Sequence, residues 1–464
     1  MAVDMTDLIQ ELKHVLQEHQ LSTNPTILDH HSRDESYHQP AGPEVVVFPE
    51  TTEEVQAVVK AADAFGIPIV PFGLGTSLEG HVIPYERGIT IDFSQMNKIL
   101  EVRDKDFLVK VQPGVTRSQL NKELKKYGLF FTVDPGADAT LGGMAATNAS
   151  GTTSVKYGVM KDQVHDLEVV TPDGSCIHTG SMARKSSSGY HLNSLYVGSE
   201  GTLGCITELT LRVYGIPEHI TAGRAVFPSV NDAVEAVVSI LQAGVPIARV
   251  ELVDDRSIQQ VNQFNNTTYE EKPTLFLEFH GNESGLSQDV DFVKAIVQEH
   301  QCQGILFEKD NAARVKLWEA RHQLAYAYIH SFPGRKLMVT DVCVPISELA
   351  GAVNHARGVI GELGLHAGIL GHVGDGNYHA LLMLDPDHPE EAAKAGQLNE
   401  AIVEYALACG GTSTGEHGVG RGKMKYQKQE HGAALDVMEK IKQALDPKGI
   451  MNPDKLVPTR RTNK

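Results

Sequence analysis

The sequence predicts an α+β protein built in two parts, and three observations support that expectation. At 464 residues the chain is longer than the size at which one hydrophobic core keeps growing. Its first half contains a strand–helix–strand unit followed by several short strands, which is typical of an α+β domain. From about residue 220 helices and strands alternate, which indicates a second domain of α/β type.

The first half begins with an amphipathic helix, because Leu8, Leu12 and Leu16 recur at helical spacing. Thr51 or Thr52 precedes another apolar run at this spacing and is a suitable helix cap. The predicted elements are a helix within residues 1–20, a strand at Val45–Phe48, a helix at Glu53–Phe65 and a strand at Ile67–Val70.

The second half is expected to start near Pro217, because proline follows the predicted strand Ile206–Val213 and marks a turn. The resulting domains are 1–218, 219–430 and a C-terminal segment, 431–464. The elements predicted beyond the boundary are Asn231–Gln242, Ala248–Val253, Thr274–Phe279, Val290–Glu299, Arg314–Ile329 as one helix and Leu337–Val344 as one strand.

Charge and cysteine usage exclude several classes of protein. The formal net charge of −18 would repel a phosphate backbone, and Arg460-Arg461 is the longest basic block, so nucleic acid is excluded as a partner. Five widely spaced cysteines give no zinc ribbon or iron–sulfur pattern and fit a reducing compartment. We therefore predict a cytoplasmic protein, peripheral to a membrane only through a partner.

A glycine-rich loop at Pro71–Gly80 follows a predicted strand, where a backbone without Cβ atoms can approach a phosphate. The Rossmann spacing fails because Leu78 occupies the place of the third glycine. The ATP-binding P-loop also fails, because His417 stands where the first glycine before Gly422-Lys423 should be. Taken alone, such a loop is more often only a turn.

Two further loops of the same kind, Asp134–Gly151 and Gly198–Gly204, favour a nucleotide-binding site over simple turns. Together the three loops resemble the FAD-binding domain of the vanillyl-alcohol oxidase and p-cresol methylhydroxylase superfamily. The resemblance covers roughly residues 44–458 and is greatest to the branch of D-lactate dehydrogenases, glycolate oxidase flavin subunits and D-2-hydroxyglutarate dehydrogenases. It implies a two-part FAD-binding domain, an α/β cap that binds substrate, and a C-terminal segment that returns to the flavin.

The resemblance also implies which residues hold the cofactor. The first loop would wrap the pyrophosphate, the second the ribityl and pyrophosphate groups, and the third would lie against the adenine end. Covalent relatives have a histidine at about the position of Thr76, so its absence implies dissociable FAD. The residues expected to contact FAD are Pro71, Gly73, Gly75, Thr76, Ser77, Gly80, Pro135, Gly136, Thr140, Gly142, Gly143, Ala146, Asn148, Gly151, Tyr157, Glu200, Gly204, Ile206 and Asn452.

A histidine pair lies in the stretch Gly371–His379. If Asp375-Gly376 forms a two-residue hairpin turn, paired residues have numbers that sum to 751, and His372 faces His379 about 5 Å away. Asn377 is next along this face. Such a pair can hold a metal ion, or it can be two hydrogen-bonded histidines at a sheet edge, and for an isolated pair the two interpretations weigh equally.

Glu416 and His417 lie in a glycine-rich stretch and point in different directions as neighbours. Glu416 can complete a two-histidine, one-carboxylate metal site, while His417 faces the substrate as a base. The resemblance agrees, since it places a divalent metal on matches to His372, His379 and Glu416 and the catalytic histidine at His417. Zinc fits these ligands, and manganese or iron(II) would also fit.

The implied reaction is FAD-dependent oxidation of a small D-2-hydroxy acid, D-lactate or glycolate, with hydride transfer to flavin N5 and the proton taken by His417. Arg321, Lys336 and Asn377 are the expected substrate contacts, with Arg321 gripping the carboxylate. Electrons would leave for a cytochrome, a quinone, an electron-transfer flavoprotein or an iron–sulfur partner. A homodimer is expected on general grounds.

Three alternatives remain open at this stage. The acid could be D-2-hydroxyglutarate, although no decisive second cation for its extra carboxylate is evident in the sequence. A metal-dependent hydrolase or lyase would use the same three metal ligands without flavin. A flavin-containing subunit with only an assembly role is the third.

Overall fold

The computed structural model describes residues 5–385 and 387–459. The chain divides into two compact units. Unit 1 comprises Met1–Ser150, Val159–Ile216 and His417–Lys464, and unit 2 comprises Gly151–Gly158 and Pro217–Glu416. Residues 1–4 and 460–464, which belong to the predicted first and last segments and include Arg460-Arg461, lie outside the described residues.

The division differs from the predicted domains in two respects. The C-terminal part of unit 1 begins at His417, whereas the predicted C-terminal segment starts at residue 431. The short segment Gly151–Gly158 belongs to unit 2, although it lies within the predicted first domain. Both exchanges arise from tertiary packing, which turn signals along the sequence do not report.

Unit 1 contains two main sheets. One has the order β1-β2-β4-β3, with parallel pairing among β2, β4 and β3, and the other is antiparallel with the order β5-β6-β10-β8-β9. The strands are β1 Leu21–Ser22, β2 Val45–Val47, β3 Ile69–Phe72, β4 Ile89–Asp92, β5 Ile99–Arg103, β6 Leu108–Val111, β7 Leu129–Phe130, β8 Val164–Val170, β9 Cys176–His178, β10 Cys205–Arg212 and β11 Tyr214–Gly215.

Helices pack on these sheets and on the sheet of unit 2. In chain order they are α1 Met5–Val15, α2 Pro25–His30, α3 Thr52–Phe65, α4 Arg117–Leu124, α5 Leu141–Thr147, α6 Ser154–Tyr157, α7 Met160–Gln163, α8 Asn193–Tyr196, α9 Val230–Gln242, α10 Asp255–Asn265, α11 Glu283–Glu299, α12 Asn311–His322, α13 Leu324–Ser331, α14 Leu349–Glu362, α15 Pro389–Ala408, α16 Gln427–His431 and α17 Ala434–Leu445.

Helix α3 shows why the first part of the prediction succeeds. The Thr51 side chain accepts the backbone N–H of Glu54, and Gly66 ends the helix in the left-handed conformation. Its apolar face buries Val55, Val58 and Val59 in the core that α1 shares. The predicted strand at Ile67–Val70 instead spans Ile69–Phe72, because Pro68 has no N–H to donate to a ladder.

The C-terminal segment pairs with the edge of the parallel sheet. The Ile69 N–H donates to the Ile450 carbonyl at 2.7 Å, and the Asn452 N–H donates to the Ile69 carbonyl at the same distance. Ile450 and Met451 are buried in the same core as α3. This pairing places Asn452 beside Ile69, the first residue of β3, and β3 leads into the first glycine-rich loop.

Unit 2 is built on one sheet with the order β15-β12-β14-β13-β18-β19-β16, and β17 also pairs with β19. The pairings are antiparallel although helices and strands alternate along the chain. Its strands are β12 His219–Val226, β13 Ile247–Val253, β14 Thr274–Gly281, β15 Gly304–Glu308, β16 Lys336–Val339, β17 Val342–Cys343, β18 Ala367–Gly371 and β19 Asn377–Leu384.

Two elements predicted as continuous are interrupted, so those predictions were wrong. The helix expected at Arg314–Ile329 breaks at Gln323, whose ψ of 0° lets Leu324 and Tyr328 enter the core that contains Trp318. The strand expected at Leu337–Val344 is split into β16 and β17. The Thr340 hydroxyl accepts the Ala380 N–H, which interrupts the regular ladder between the two short strands.

Within residues 5–385 and 387–459, every helix is either too short or too polar to cross a membrane.

Candidate active site

The three glycine-rich loops of the sequence converge in unit 1. The second and third loops are joined by two backbone hydrogen bonds, from the Gly198 N–H to the Ala145 carbonyl at 2.9 Å and from the Glu200 N–H to the Ala146 carbonyl at 2.8 Å. Gly201 lies against Pro71, which connects the third loop to the first. The loops are therefore parts of one surface and not separate turns.

Glycine is required where these loops meet. A Cβ on Gly73 would lie 2.4 Å from the Thr140 hydroxyl oxygen. Gly201 has φ +70°, and its Cβ would lie 2.9 Å from Pro71 Cγ. Close approach of three backbones without side chains is the construction that a dinucleotide needs, so these loops could hold FAD.

Glu200 and Asn452 tie the third loop to the C-terminal part of unit 1. The Glu200 carboxylate accepts the N–H groups of Val419 and Gly420 at 2.6 and 2.8 Å. The Asn452 amide donates to the carbonyls of Glu200 and His81 at 2.7 and 3.1 Å. The described side chains of these two predicted cofactor residues are thus occupied in holding the loop surface together.

Other predicted cofactor residues have packing roles. Ile206 is buried in the core, and a Cβ on Gly204 would lie 2.7 Å from the Val170 carbonyl. The Ser77 hydroxyl donates to Asp34. Tyr157 belongs to unit 2, where its hydroxyl lies 2.8 Å from His280 Nδ1. The predicted residues in unit 1 are Pro71, Gly73, Gly75, Thr76, Ser77, Gly80, Pro135, Gly136, Thr140, Gly142, Gly143, Ala146, Asn148, Glu200, Gly204, Ile206 and Asn452, and those in unit 2 are Gly151 and Tyr157.

In unit 2, His372, His379 and Glu416 form a compact cluster. The Nε2 atoms of the two histidines lie 3.1 and 3.2 Å from the same oxygen, Glu416 Oε1. One ligand atom from each residue lies within 4.8 Å of the other two. Both histidines are buried, so the cluster is shielded from most of the solvent.

The predicted hairpin register was wrong, although the histidines do meet. The β18–β19 ladder pairs Leu370 with His379, so paired residues sum to 749 and not to 751. The N–H groups of Asp375 and Asn377 both reach the His372 carbonyl, which closes a loop longer than two residues. The imidazole centroids are 5.5 Å apart in an edge-to-face arrangement, with His372 in the loop and His379 in the strand.

The hydrogen-bond partners of the cluster favour a cation at its centre. His379 Nδ1 lies 3.0 Å from the Thr340 carbonyl, which can only accept, so Nδ1 carries a proton and Nε2 is the ring atom that faces Glu416. A lone pair directed at a carboxylate is repulsive unless a proton or a metal ion lies between them. The three residues therefore fit a divalent metal with open coordination positions.

Electrostatic interactions within the cluster keep its carboxylate ionised. Although burial favours its neutral form, the pKa of His372 is raised well above the ordinary value, because Glu251 and Glu416 face its ring. Burial would raise the pKa of Glu416, but the two histidines lower it well below its usual range. The carboxylate is therefore ionised and able to act as a ligand.

Glu251 is a site residue that the sequence reasoning missed. It is completely buried, and its Oε1 accepts from His372 Nδ1 at 2.6 Å. The signal was a lone carboxylate within the apolar strand β13, a position that hydrophobic periodicity assigns simply to the core. Arg321, predicted to bind substrate, donates to Glu251 Oε2 from Nε at 2.9 Å and from Nη2 at 2.8 Å.

Asp341 is a second missed residue and is also completely buried. Its Oδ2 accepts from the Thr414 hydroxyl and from the N–H groups of Gly415 and Glu416, at 2.7, 2.8 and 3.0 Å. Its Oδ1 accepts from the Asn377 amide at 2.8 Å. Asp341 therefore fixes the backbone that presents Glu416.

The other predicted substrate-binding and catalytic residues are Asn377, Lys336 and His417. The Asn377 amide nitrogen also donates to the Val342 carbonyl at 2.7 Å. Lys336 is exposed at the start of β16, opposite Leu384 and therefore five residues along β19 from His379. His417 follows Glu416 directly and is the first residue of the C-terminal part of unit 1.

Comparisons with known proteins agree with the fold and the loops. Residues 43–180 match the family model for an FAD binding domain, and residues 216–456 match that for FAD linked oxidases, C-terminal domain. With p-cresol methylhydroxylase the chain shares a fold at a TM-score of 0.80 and 18% identity, covering 97% of this chain and 96% of that one. The 4-ethylphenol oxidase of Gulosibacter chungangensis gives a TM-score of 0.79 at 17% identity, covering 99% and 98%.

Two sequence relatives cover nearly the whole chain. The probable mitochondrial D-lactate dehydrogenase of Danio rerio is 44% identical over 98% of this chain and 93% of its own length. The glycolate oxidase subunit GlcD of Bacillus subtilis is 32% identical over 89% of each. The fold and loops define a flavoprotein of the p-cresol methylhydroxylase type, as predicted. The chain belongs to the FAD-linked oxidase family and is an FAD-dependent oxidoreductase.

Proposed function

We propose that this protein oxidises a small D-2-hydroxy acid, D-lactate or glycolate, to the corresponding 2-oxo acid with dissociable FAD. The observation that carries the proposal is the convergence of two imidazoles and one carboxylate oxygen on one point in unit 2. The names of the relatives, which include D-lactate dehydrogenases and glycolate oxidase subunits, support the substrate class.

The loops of unit 1 would hold the FAD, which when bound accepts two electrons and a proton as a hydride. Thr76 stands where covalent relatives have a histidine, so no residue of that loop would anchor the flavin by a bond. Glu200 and Asn452 would keep the third loop and the C-terminal segment in register around the cofactor. Gly151 and Tyr157, which belong to unit 2, remain further proposed cofactor contacts.

His372, His379 and Glu416 would hold a divalent ion, zinc or manganese, which supplies Lewis acidity for a 2-hydroxyl and its neighbouring carboxylate. The Nδ1 protons donated to Glu251 and to the Thr340 carbonyl keep both Nε2 lone pairs directed at the ligand position. Asp341 holds the Glu416 backbone in place. These residues orient the substrate oxygen before any proton moves.

His417 would take the proton of the 2-hydroxyl on its imidazole, because a base is needed when the Cα hydride leaves. Its position next to Glu416 in the chain restricts how far the base can lie from the ligand. Arg321 would reach the substrate carboxylate with Nη1, since its Nε and Nη2 face Glu251. Asn377 and Lys336 remain the further proposed substrate contacts.

The electrons would leave the flavin for an external acceptor. The relative from Arabidopsis thaliana, 41% identical over 97% of this chain and 80% of its own length, is named D-lactate dehydrogenase [cytochrome], mitochondrial, which favours a cytochrome over a quinone, an electron-transfer flavoprotein or an iron–sulfur subunit. The five cysteines of the described structure are unpaired, which fits the proposed cytoplasmic location. A homodimer is the proposed assembly.

The test is an anaerobic titration of the purified flavoprotein with D-lactate, glycolate, D-2-hydroxyglutarate and L-lactate, followed by flavin absorbance. Bleaching by D-lactate or glycolate, with no effect of L-lactate, supports the proposal. Bleaching by D-2-hydroxyglutarate alone would replace the proposed substrate with the dicarboxylate. Retention of oxidised flavin with all four acids would contradict the proposal. Denaturation should release the flavin into the supernatant if FAD is not covalently attached.

A further inference from the structure

Glu251 is a buried carboxylate whose two oxygens have different partners. Oε1 accepts from His372 Nδ1 at 2.6 Å, whereas Oε2 accepts from Arg321 Nε and Nη2 at 2.9 and 2.8 Å. The Glu251 side chain is 0% exposed and that of Arg321 is 13% exposed. The result is a continuous chain of hydrogen bonds from Arg321 through Glu251 to the imidazole of His372.

We propose that Glu251 is a positioning residue for metal binding, that it fixes the tautomer and orientation of His372, and that Arg321 acts as its counter-ion. This inference rests on the proposed function, because it gives His372 its role as a metal ligand. It gives Arg321 a second role, in which Nε and Nη2 hold Glu251, beside the proposed substrate contact of Nη1.

The chemical reason lies in the imidazole. A carboxylate that accepts from Nδ1 keeps the proton there, so that Nε2 presents its lone pair, and it increases the basicity of that lone pair. Without this partner the His372 ring could rotate or adopt the other tautomer, and Nε2 would no longer point at Glu416. His379 uses a weaker orienting group, the Thr340 carbonyl.

Arg321 is needed because a completely buried carboxylate is costly to ionise without a cation. Two N–H groups on one edge of the guanidinium meet Oε2, which leaves Oε1 for the histidine. Arg321 therefore acts on the metal site only through Glu251. Substitutions of the two residues should for this reason have effects on metal affinity that do not add.

A second trio in the same sheet gives a matched control. Glu278 is 5% exposed, lies on the neighbouring strand β14, and contacts both an arginine and a histidine. Its Oε1 lies 3.5 Å from Arg249 Nε and 2.8 Å from His280 Nε2. The other nitrogen of His280 lies 2.8 Å from the Tyr157 hydroxyl and not near a carboxylate cluster. Glu278 therefore resembles Glu251 in burial and partners but does not contact a predicted metal ligand.

The test measures the affinity of the flavoprotein for Zn²⁺ alone, by competition with a chromogenic chelator, so no turnover is involved. Glu251→Gln should weaken Zn²⁺ binding by about 10- to 100-fold, the range typical when the orienting partner of a ligand is lost. Glu278→Gln should bind Zn²⁺ like the parent protein. The double variant Glu251→Gln/Arg321→Gln removes the buried charge pair and should lose as much affinity as Glu251→Gln.

Spectra of the Co²⁺-loaded proteins provide a readout that a general loss of stability would not move. The absorption bands of Co²⁺ should shift in Glu251→Gln and stay unchanged in Glu278→Gln, because only the first alters the geometry at a ligand. If Glu251→Gln binds Zn²⁺ within threefold of the parent with unchanged Co²⁺ bands, the inference is overturned while the metal site stands. If the parent protein binds neither ion, the proposed metal site and this inference both fail, whereas FAD-dependent oxidation is still tested by flavin bleaching.

If Glu251→Gln does not fold, the Zn²⁺ affinity of the double variant tests the inference in the same assay. The double variant also removes the charge of Arg321, which Glu251→Gln leaves without its partner. Weakened binding in a folded double variant supports the inference, and parental affinity overturns it.

Discussion

His372 and His379 meet edge to face with ring centroids 5.5 Å apart, although the strand ladder pairs His379 with Leu370. The meeting depends on a loop after β18 that turns His372 back toward β19. Glu416 then reaches both Nε2 atoms with a single oxygen. One carboxylate oxygen shared by two imidazoles is the centre of the proposed chemistry.

Removal of the metal should abolish substrate oxidation without releasing the flavin. The proposed ligands lie in unit 2, whereas the loops expected to hold FAD lie almost entirely in unit 1. Dialysis against a chelator should therefore leave the flavin spectrum intact while D-lactate no longer bleaches it. Added Zn²⁺ or Mn²⁺ should restore bleaching, and loss of FAD together with the metal would contradict the assignment of FAD and metal to different sets of residues.

Substitution of His417 by glutamine should reduce the rate of flavin reduction by at least about 100-fold, because the proposed general base is lost. Metal content and FAD content should remain at the level of the parent protein, since the proposed metal ligands are His372, His379 and Glu416. The measurement is anaerobic stopped-flow reduction with metal analysis of the same sample. A rate within threefold of the parent rate would remove His417 from the proposed mechanism.

Asp341→Asn should destabilise the protein and weaken the proposed metal site at the same time. Asp341 Oδ2 accepts three hydrogen bonds from the segment 414–416, and an amide cannot accept them all with a charged oxygen. We expect a loss of about 2–4 kcal/mol in the free energy of unfolding, because buried hydrogen bonds to a charged group are lost. Urea unfolding and Zn²⁺ affinity check the two effects, and parental values in both would refute the role of Asp341.

Gly201→Ala should weaken FAD binding at least tenfold. Its φ of +70° strains any other residue, and the added Cβ would lie 2.9 Å from Pro71 in the first loop. Gly215→Ala is the control, because a Cβ at Gly215 has no atom within 4 Å. Equilibrium titration of apoprotein with FAD measures both, and equal affinities in the two variants would show that loop contact is unimportant.

Lys455 gives a prediction for stability against pH. Burial lowers its pKa to about 8, whereas the unfolded chain retains a value near 10.5. Between these values the unfolded state binds more protons, so the contribution of Lys455 to stability rises with pH from about 8 to about 10.5. The difference in unfolding free energy between the parent and Lys455→Met should increase by about 3 kcal/mol across this window. A flat difference for Lys455→Met across this window would contradict the prediction that burial lowers the pKa of Lys455.

Structural features that depend on residues close together in the sequence could be predicted. The cap at Thr51 and the apolar face of α3 are local, as is the glycine content of the three loops, so these features could be predicted. The pair His372 and His379 was found through a turn motif whose register was wrong, because the backbone of Asn377 bonds to the His372 carbonyl. His372 and His379 are nevertheless close to each other, because both lie next to the same loop.

Residues that act through other residues could not be predicted in this way. Glu251 is 121 positions from His372, and Asp341 is 75 positions from Glu416. In a sequence, each is a single acid within an apolar stretch, and only the sheet order β14-β13-β18-β19 brings Glu251 to the histidine. The contact of Arg321 with Glu251 could not be predicted, because helix periodicity does not tell which partner a buried guanidinium meets.

The decisive experiment is anaerobic reduction of the bound flavin by D-lactate in the parent protein, in His372→Ala and in the chelator-treated protein. We expect rapid bleaching in the parent and no bleaching in the other two, with FAD retained in all three. Equal bleaching in all three would contradict the claim that His372, His379 and Glu416 hold a metal needed for oxidation of the substrate.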